Sequence, residues 1–264
     1  LYLDTQMKHF LFLLFFLAQI VVGQKVTEVS KIPLVVDTFI GIDAYNNSYV
    51  VKRKTLEKKG QDGTFVFNDF LLGEITSVDI INPLKVVVFY EDTNTVVLLD
   101  NKLSEMERIS FNNLPQFVNI SSASNAGNNS LWIFNVDTQQ LELYNYRSGR
   151  TTIVSQPFEG KLKSQASNFN YCFMLTETKI RTYNIYGSIL SEIDINGLNK
   201  IVQQNEKLLA VGENQLLFFS ENTIKPLNIP IPENKIKDLQ LTQDFLYIYD
   251  GNFLHTFSIT QPKK

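Results

Sequence analysis

Cysteine is almost missing from this chain: Cys172 is alone among 264 residues. A single cysteine can form neither an intramolecular disulfide nor a Cys-rich metal site. Its place in the apolar stretch Tyr171-Cys172-Phe173-Met174-Leu175 marks it as a small core residue. Histidine is nearly as scarce. There are two, His9 and His255, and His9 falls in an N-terminal apolar segment. A Ser-His-Asp or Cys-His arrangement would therefore have to use His255, and zinc sites of His and Cys are excluded. The alternation of Asn252-Phe253-Leu254-His255-Thr256-Phe257 makes His255 a strand residue on the face opposite Leu254, packed or on the surface rather than catalytic. No Asp-x-Asp-x-Asp calcium loop and no Gly-rich phosphate cradle is present. Charge of one sign is lacking too: 24 basic and 27 acidic residues give a net charge of −3. No broad basic field exists for a phosphate backbone, so nucleic acid is not an expected partner. No cofactor, metal or catalytic residue is expected.

Only one long apolar run is found, and it is an address. Met7-Lys8-His9 precedes the apolar stretch Phe10 to Val22, and Val21-Val22-Gly23 supplies small residues for cleavage, the pattern of a secretory signal peptide. The run is shorter than the roughly 20 residues of a membrane span. Leu1 to Gln6 precede the first methionine, so translation is expected to begin at Met7. No cysteine follows the run, so no lipid anchor is expected, and the mature chain has no transmembrane segment. The expected organisation is upstream residues plus signal peptide at 1–23, one domain at 24–260 and a tail at 261–264. Export without disulfides favours a bacterial periplasm or outer-membrane periphery over eukaryotic secretion. The sequons at Asn46, Asn119 and Asn128 read as chance in an Asn-rich chain.

What the sequence does have is a recurring pair of apolar runs. The pair begins at Phe39-Ile40-Gly41-Ile42, Val86-Val87-Val88-Phe89, Leu131-Trp132-Ile133-Phe134, Cys172-Phe173-Met174-Leu175, Leu208-Leu209-Ala210-Val211 and Phe245-Leu246-Tyr247-Ile248. The spacing falls from roughly 47 to roughly 37 residues, the period of propeller blades. In the clearest unit, Ile75 to Ile80 alternates as a half-buried strand. Asn82-Pro83 turns the chain. Lys85 to Tyr90 and Thr95 to Leu99 read as strands buried on both faces, and Met106 to Phe111 alternates as an outer strand. Four strands with the middle pair most apolar describe one blade. The fold expected is all-β, a β-propeller of six four-stranded blades. The last unit, Ile236 to Ile259, supplies three strands, and Val26 to Val36 is expected to add the fourth and seal the ring. Seven blades is the alternative if Val50 to Phe67 hides an extra strand pair; a β-sandwich or barrel would hold fewer strands.

The remaining polar features are weak as chemistry. Glu91, Asp92 and Asp100 lie at turns of one hairpin unit, and Asp43, Asp79 and Asp194 end or enter strands. Carboxylates held roughly 5 to 9.5 Å apart can hydrolyse glycosides, but Asp and Asn at turns also hydrogen-bond their own backbone. Lys52, Arg53, Lys54, Lys58 and Lys59 form a basic hairpin. It is a solvated turn by default and a contact for an acidic partner or anionic envelope component as its functional reading. Asn119 to Ser130 reads as a long exposed loop and a contact site, and Ile229-Pro230-Ile231-Pro232 as a stiff connector.

The stretch Ile75-Thr76-Ser77-Val78-Asp79-Ile80-Ile81-Asn82-Pro83-Leu84, followed by Val88-Phe89-Tyr90-Glu91-Asp92 and Val96-Val97-Leu98-Leu99-Asp100-Asn101, resembles a family of exported, single-domain β-propeller proteins of Bacteroidetes-type bacteria. Asn129 to Asn135 and Phe169-Asn170-Tyr171 match it as well. The resemblance implies a propeller in the cell envelope and an association with the type IX secretion machinery, and it brings no catalytic residues. Sialidase boxes, Tyr-Trp-Thr-Asp repeats and Gly-His or Trp-Asp signatures are absent. Two readings follow. The first is a non-catalytic scaffold for envelope or outer-membrane proteins. The second is a small-ligand or carbohydrate binder or hydrolase using carboxylates at the ring's mouth.

Overall fold

The computed structural model describes residues 25–260 apart from 213–214, 221–222, 228 and 230–235. The segment read as a signal peptide, the 261–264 tail and most of the Ile229-Pro230-Ile231-Pro232 stretch lie outside the described residues. Six four-stranded antiparallel sheets stand in a ring as a six-bladed β-propeller. The first blade is β2 (Thr38–Ile42), β3 (Ser48–Lys52), β4 (Thr55–Gly60) and β5 (Gly63–Phe67). The second is β6 (Ser77–Asp79), β7 (Val86–Tyr90), β8 (Thr95–Leu99) and β9 (Glu105–Ser110). The third is β10 (Ile120–Ala126), β11 (Ser130–Asn135), β12 (Gln140–Asn145) and β13 (Arg150–Ile153). The fourth is β14 (Ser164–Ser167), β15 (Tyr171–Leu175), β16 (Lys179–Asn184) and β17 (Ile189–Asp194). The fifth is β18 (Leu198–Gln204), β19 (Lys207–Gly212), β20 (Leu216–Ser220) and β21 (Thr223–Pro226). The sixth is β22 (Asp238–Leu241), β23 (Phe245–Tyr249) and β24 (Phe253–Thr260), completed by the N-terminal strand β1 (Lys25–Pro33). Among the described residues the only helical element is a 3-10 turn at Phe111–Asn113, and no helix is long and apolar enough to cross a membrane.

The closure is the expected one. β1 pairs antiparallel with β24 from Lys25 opposite Thr260 to Pro33 opposite Phe253. Ring closure thus depends on the two ends of the chain meeting in one sheet, where β1 covers the outer side of β24.

Two readings of the sequence need correction. The run at Phe39 to Ile42 is an innermost strand, whereas the other five runs are second strands. The true equivalent in the first blade is β3. Its burial alternates rather than being continuous, which hid it from a search for apolar runs. In phase, second strands begin about 36 to 44 residues apart. Residues 50–67 contain the end of β3 with β4 and β5, so no seventh blade is hidden there. The second correction concerns Asn119 to Ser130. It is not a loop: most of it is β10, the innermost strand of the third blade, with Ile120, Ala123, Asn125 and Ala126 buried.

The core is divided among the gaps between blades. Val87, Phe89, Val96 and Leu98 of the second blade meet Ile120, Leu131, Ile133 and Tyr144 of the third. Trp132 and Phe134 of the third meet Cys172, Met174 and Tyr183 of the fourth, and similar clusters fill the other gaps. Cys172 is fully buried with its thiol 3.4 Å from Met174 Sδ, and burial pushes the thiol pKa well up. It is the inert core residue its neighbours predicted.

Candidate functional site

In a ring of radial sheets the innermost strand of each blade has a hydrogen-bonded neighbour on one side only. Backbone groups on its other side must find partners elsewhere. Side chains of adjacent blades supply them. Gln240 of β22 behaves like a missing strand toward the first blade. Ile42 N donates to its Oε1 at 2.7 Å, and its Nε2 donates to Ile42 O at 2.8 Å. Gly41 permits this approach, since a Cβ there would lie 2.7–2.8 Å from the Gln240 amide. Asp238 Oδ2 accepts from Phe39 N at 3.0 Å, while its Oδ1 receives Lys200 Nζ at 3.0 Å. Between the second and third blades, Asp79 Oδ2 accepts from Asn125 N at 2.6 Å, and Asn94 Oδ1 from Ile120 N at 3.1 Å.

These strands surround a central cavity of about 740 Å³, opening among the turns that follow the innermost strands, at Asp43, Asn46, Asn205 and Asp244. Its wall has two characters. On the third to fifth blades it is a ribbon of hydroxyls and amides. Ser122 Oγ donates to Gln165 Oε1 at 2.7 Å, and Gln165 Nε2 donates to Ser124 Oγ at 3.0 Å. Ser124 Oγ lies 2.6 Å from Ser167 Oγ, and Gln203 Nε2 donates to Ser167 O at 2.7 Å. Gln203 Oε1 is enclosed and has no protein donor. On the sixth, first and second blades the wall mixes apolar side chains such as Leu241, Phe245, Ile40 and Val78 with polar ones such as Gln240, Thr242 and the cavity's carboxylates.

Among the described residues no Lys, Arg or His lines the cavity, and the carboxylates that do are Asp43, Asp79 and Asp244. Asp43 closes its own turn: it accepts from Tyr45 N at 2.8 Å, Asn47 N at 2.9 Å and Tyr49 OH at 3.0 Å. Burial, and then the Asp43 charge, push the Tyr49 phenol well above its usual range. Burial raises the Asp79 pKa, against the opposing bonds from Ile81 N and Asn125 N. Asp244 is exposed at the rim. Among the described residues no group of His, Cys, Asp or Glu is arranged to hold a metal ion.

The residues singled out in the sequence do not form one site. The turns between second and third strands and the connections between blades lie on one face of the ring; the turns after the innermost strands and between third and fourth strands lie on the other. Lys52, Arg53 and Lys54 sit at the β3–β4 turn, where Arg53 and Lys54 have φ of 48° and 64°, and Glu91 and Asp92 share that face at the β7–β8 turn. Lys59 and Asp100 belong to the opposite face. Asp100 Oδ1 accepts from Lys102 N and Ser104 N, both at 2.8 Å, a turn role. Lys58 corrects the picture of one basic hairpin. It is 6% exposed, donates to Asn101 O at 2.7 Å and lies 5.5 Å over the Tyr49 ring, so it caps the next blade's turn instead of facing a partner. Asp194, exposed at the end of β17, is 3.6 Å from Lys179 Nζ.

His255 is 5% exposed in β24, with Nδ1 2.9 Å from Glu28 Oε1 of β1 and Nε2 3.3 Å from Asp250 Oδ2. It stacks on Phe257 at the outer half of the sixth blade and is not among the cavity-lining residues. The residues sequence reasoning missed are Ser122, Ser124, Gln165, Ser167, Gln203 and Gln240. A signal existed: a short polar-alternating run, such as Ser164-Gln165-Ala166-Ser167 or Leu239-Gln240-Leu241, stands just before the apolar second strand.

No protein-family model matches the chain, and no curated protein matches it in sequence. Among solved structures it is similar to a streptogramin B lyase at 12% identity and TM-score 0.61, over 90% of this chain and 98% of that one. It is similar to the Neurospora crassa Pan2 WD40 domain at 5% identity and TM-score 0.58, over 87% and 76% of the two chains. It is also similar to BamB from Moraxella catarrhalis at 12% identity and TM-score 0.50, over 83% and 68%. One of these is named as an enzyme and two are not. At such identities what is shared is the propeller fold, which by itself does not choose between catalysis and binding.

Proposed function

We propose that this chain is a non-catalytic propeller that holds a protein partner in the periplasm, as an accessory subunit of an outer-membrane complex, with the type IX secretion machinery as the assembly its sequence resemblance points to. One observation carries the reading. Successive connections between blades on one face present large apolar side chains to solvent: Val35 at 78% exposure, Phe70 at 68%, Leu71 at 91% and Phe117 at 58%. Exposed Lys52, Arg53, Lys54, Glu91 and Asp92 occupy the same face. Apolar residues set among charges of both signs are the composition of a protein contact surface rather than of an anion-binding one. The rigid ring holds these connections in place without ordering cost at binding. The export segment and the lack of disulfides support the periplasm.

The test is recovery of tagged protein from gently solubilised envelopes of the native host, with copurifying chains identified by mass spectrometry. Reproducible recovery of outer-membrane or secretion subunits is expected. Phe70→Ser with Leu71→Ser should abolish it while leaving thermal unfolding unchanged. Recovery of the protein alone would sink this reading.

A further inference from the structure

We propose that the apolar and charged arc on the face of the blade connections is self-complementary, and that a second copy of this chain covers it in a two-fold dimer. The inference rests on the reading of that face as a contact surface, and it names the occupant of the arc when no envelope partner is on it.

The arc has five stations, placed in ring order by the strand order. Val35 stands on the β1–β2 connection, and Lys52, Arg53 and Lys54 form the β3–β4 turn of the first blade. Phe70 and Leu71 stand on the β5–β6 connection between the first and second blades. Glu91 and Asp92 form the β7–β8 turn of the second blade, and Phe117 stands on the β9–β10 connection to the third. The order is apolar, basic, apolar, acidic, apolar. A two-fold axis through the middle station lays each basic turn on the other copy's acidic turn, and each Val35 on the other copy's Phe117. An isologous contact requires this reciprocity, in which one patch meets a second and the second meets the first. An arc with the same sign of charge on both flanks would repel its own copy.

The middle station is a built turn. Asp69 Oδ1 accepts from Leu71 N at 2.9 Å, and Asp69 O accepts from Leu72 N at 3.2 Å. Arg108 Nη1 holds the Asp69 carboxylate from the second blade at 2.8 Å. Leu72 is buried beneath the turn, and its carbonyl accepts from Thr93 Oγ1 at 3.2 Å. Phe70 and Leu71 are thus held out to solvent with little left to order at binding. The same connection touches both charged turns. Lys54 Nζ lies 2.9 Å from Glu74 Oε1 on one side, and Glu91 N donates to Thr76 Oγ1 at 2.9 Å on the other.

The flanking charges are open to a partner. Asp37 accepts from Arg53 N at 2.6 Å and Glu74 pairs with Lys54, so the first turn keeps an excess of positive charge. Among the described residues no ion pair engages Lys52, Arg53, Glu91 or Asp92, and all four are exposed. Large apolar side chains exposed on three neighbouring connections and set between such charges mark a contact surface.

The experiment is sedimentation equilibrium of the purified protein over about 1–100 μM, where a dimer with a Kd of about 10 μM is expected. Lys52→Glu with Arg53→Glu makes both flanks acidic, and Glu91→Lys with Asp92→Lys makes both basic. Each pair of substitutions should weaken self-association by about tenfold or more, whereas an equimolar mixture of the two variants should associate at least as tightly as the parent chain. Phe70→Ser with Leu71→Ser should remove association while thermal unfolding stays unchanged. A parent chain that is monomeric at about 100 μM overturns the proposal. So does a dimer indifferent to the charge variants, or a mixture that stays monomeric while the parent chain dimerises, since another face then makes the contact. Recovery of envelope subunits by a protein that is monomeric when purified sinks the dimer alone. A dimer that recovers no other chain sinks the envelope partner and leaves the dimer standing.

Discussion

In the second blade, Val86–Tyr90 and Thr95–Leu99 bury every residue. In the third blade, the innermost strand Ile120–Ala126 carries three serines and an asparagine. Both stretches are β-strands of the same ring, held by opposite means. A middle strand has hydrogen-bonded neighbours on both sides, so its backbone is satisfied and its side chains mainly fill the gaps between blades. An innermost strand has one open edge, and its side chains, with those of the next blade, must complete the hydrogen bonding. Polar groups fare badly in the first setting: Tyr90 OH is buried without a partner, and burial pushes its pKa up to about 12. In the second setting polar groups add bridges between neighbouring blades.

The largest expected effect is on the middle strands. Phe89→Ala opens a void in the cluster shared by the second and third blades and should cost about 3–5 kcal/mol. Denaturant unfolding would show it as a lower midpoint, and a loss below about 1 kcal/mol would mean that the gap collapses around the smaller residue. Gln240→Leu attacks the other mode. It removes both bonds to Ile42 and should cost about 1–3 kcal/mol, since the freed backbone groups face the cavity and water can reach them. If Gln240→Leu proved as costly as Phe89→Ala, side-chain bridging would rank with core packing as the force holding the ring.

The smallest effect sharpens the comparison from the middle strands. Glu142 of β12 is 4% exposed, and burial raises its pKa against the opposing bonds from Asn135 and Thr138. Between its unfolded and folded pKa values the native state holds more protons than the unfolded chain. Stability is therefore greatest below the ordinary glutamate pKa of 4.5, falls as pH rises toward the raised folded value, and stays lower above it. Glu142→Gln keeps the acceptor for Asn135 Nδ2 at 2.9 Å and should flatten this part of the profile, with a small gain at neutral pH. Unfolding curves at several pH values check it; a loss of stability at neutral pH would show that the carboxylate charge itself is needed.

The middle strands of the second blade were legible because they obey one local rule, continuous apolarity between turns, which β3 of the first blade does not. Val86–Tyr90 and Thr95–Leu99 stand where the sequence places them. The innermost strand of the third blade was not, because its partners are distant in the chain. Ser121-Ser122-Ala123-Ser124-Asn125 looks like a loop by itself; it becomes a strand because Asp79 and Asn94 bind its backbone and Gln165 its hydroxyls, across roughly 26 to 46 residues of chain. Lys58 shows the same limit from the other side. A lysine beside Lys59 reads as surface charge, yet the strand's alternation turns it inward to a carbonyl of the next blade.

Sequence by itself determined the all-β class, the repeating unit and its closure by the N-terminal strand, since these rest on local periodicity and on counting strands at the two ends; the choice of six blades over seven came from where β3, β4 and β5 stand. Tertiary structure alone decided which polar residues face the centre, that the basic and acidic turn residues divide between two faces, and that His255 lies outside the cavity. Those outcomes depend on the alternation of strand direction and on contacts between neighbouring blades, which no window of sequence contains.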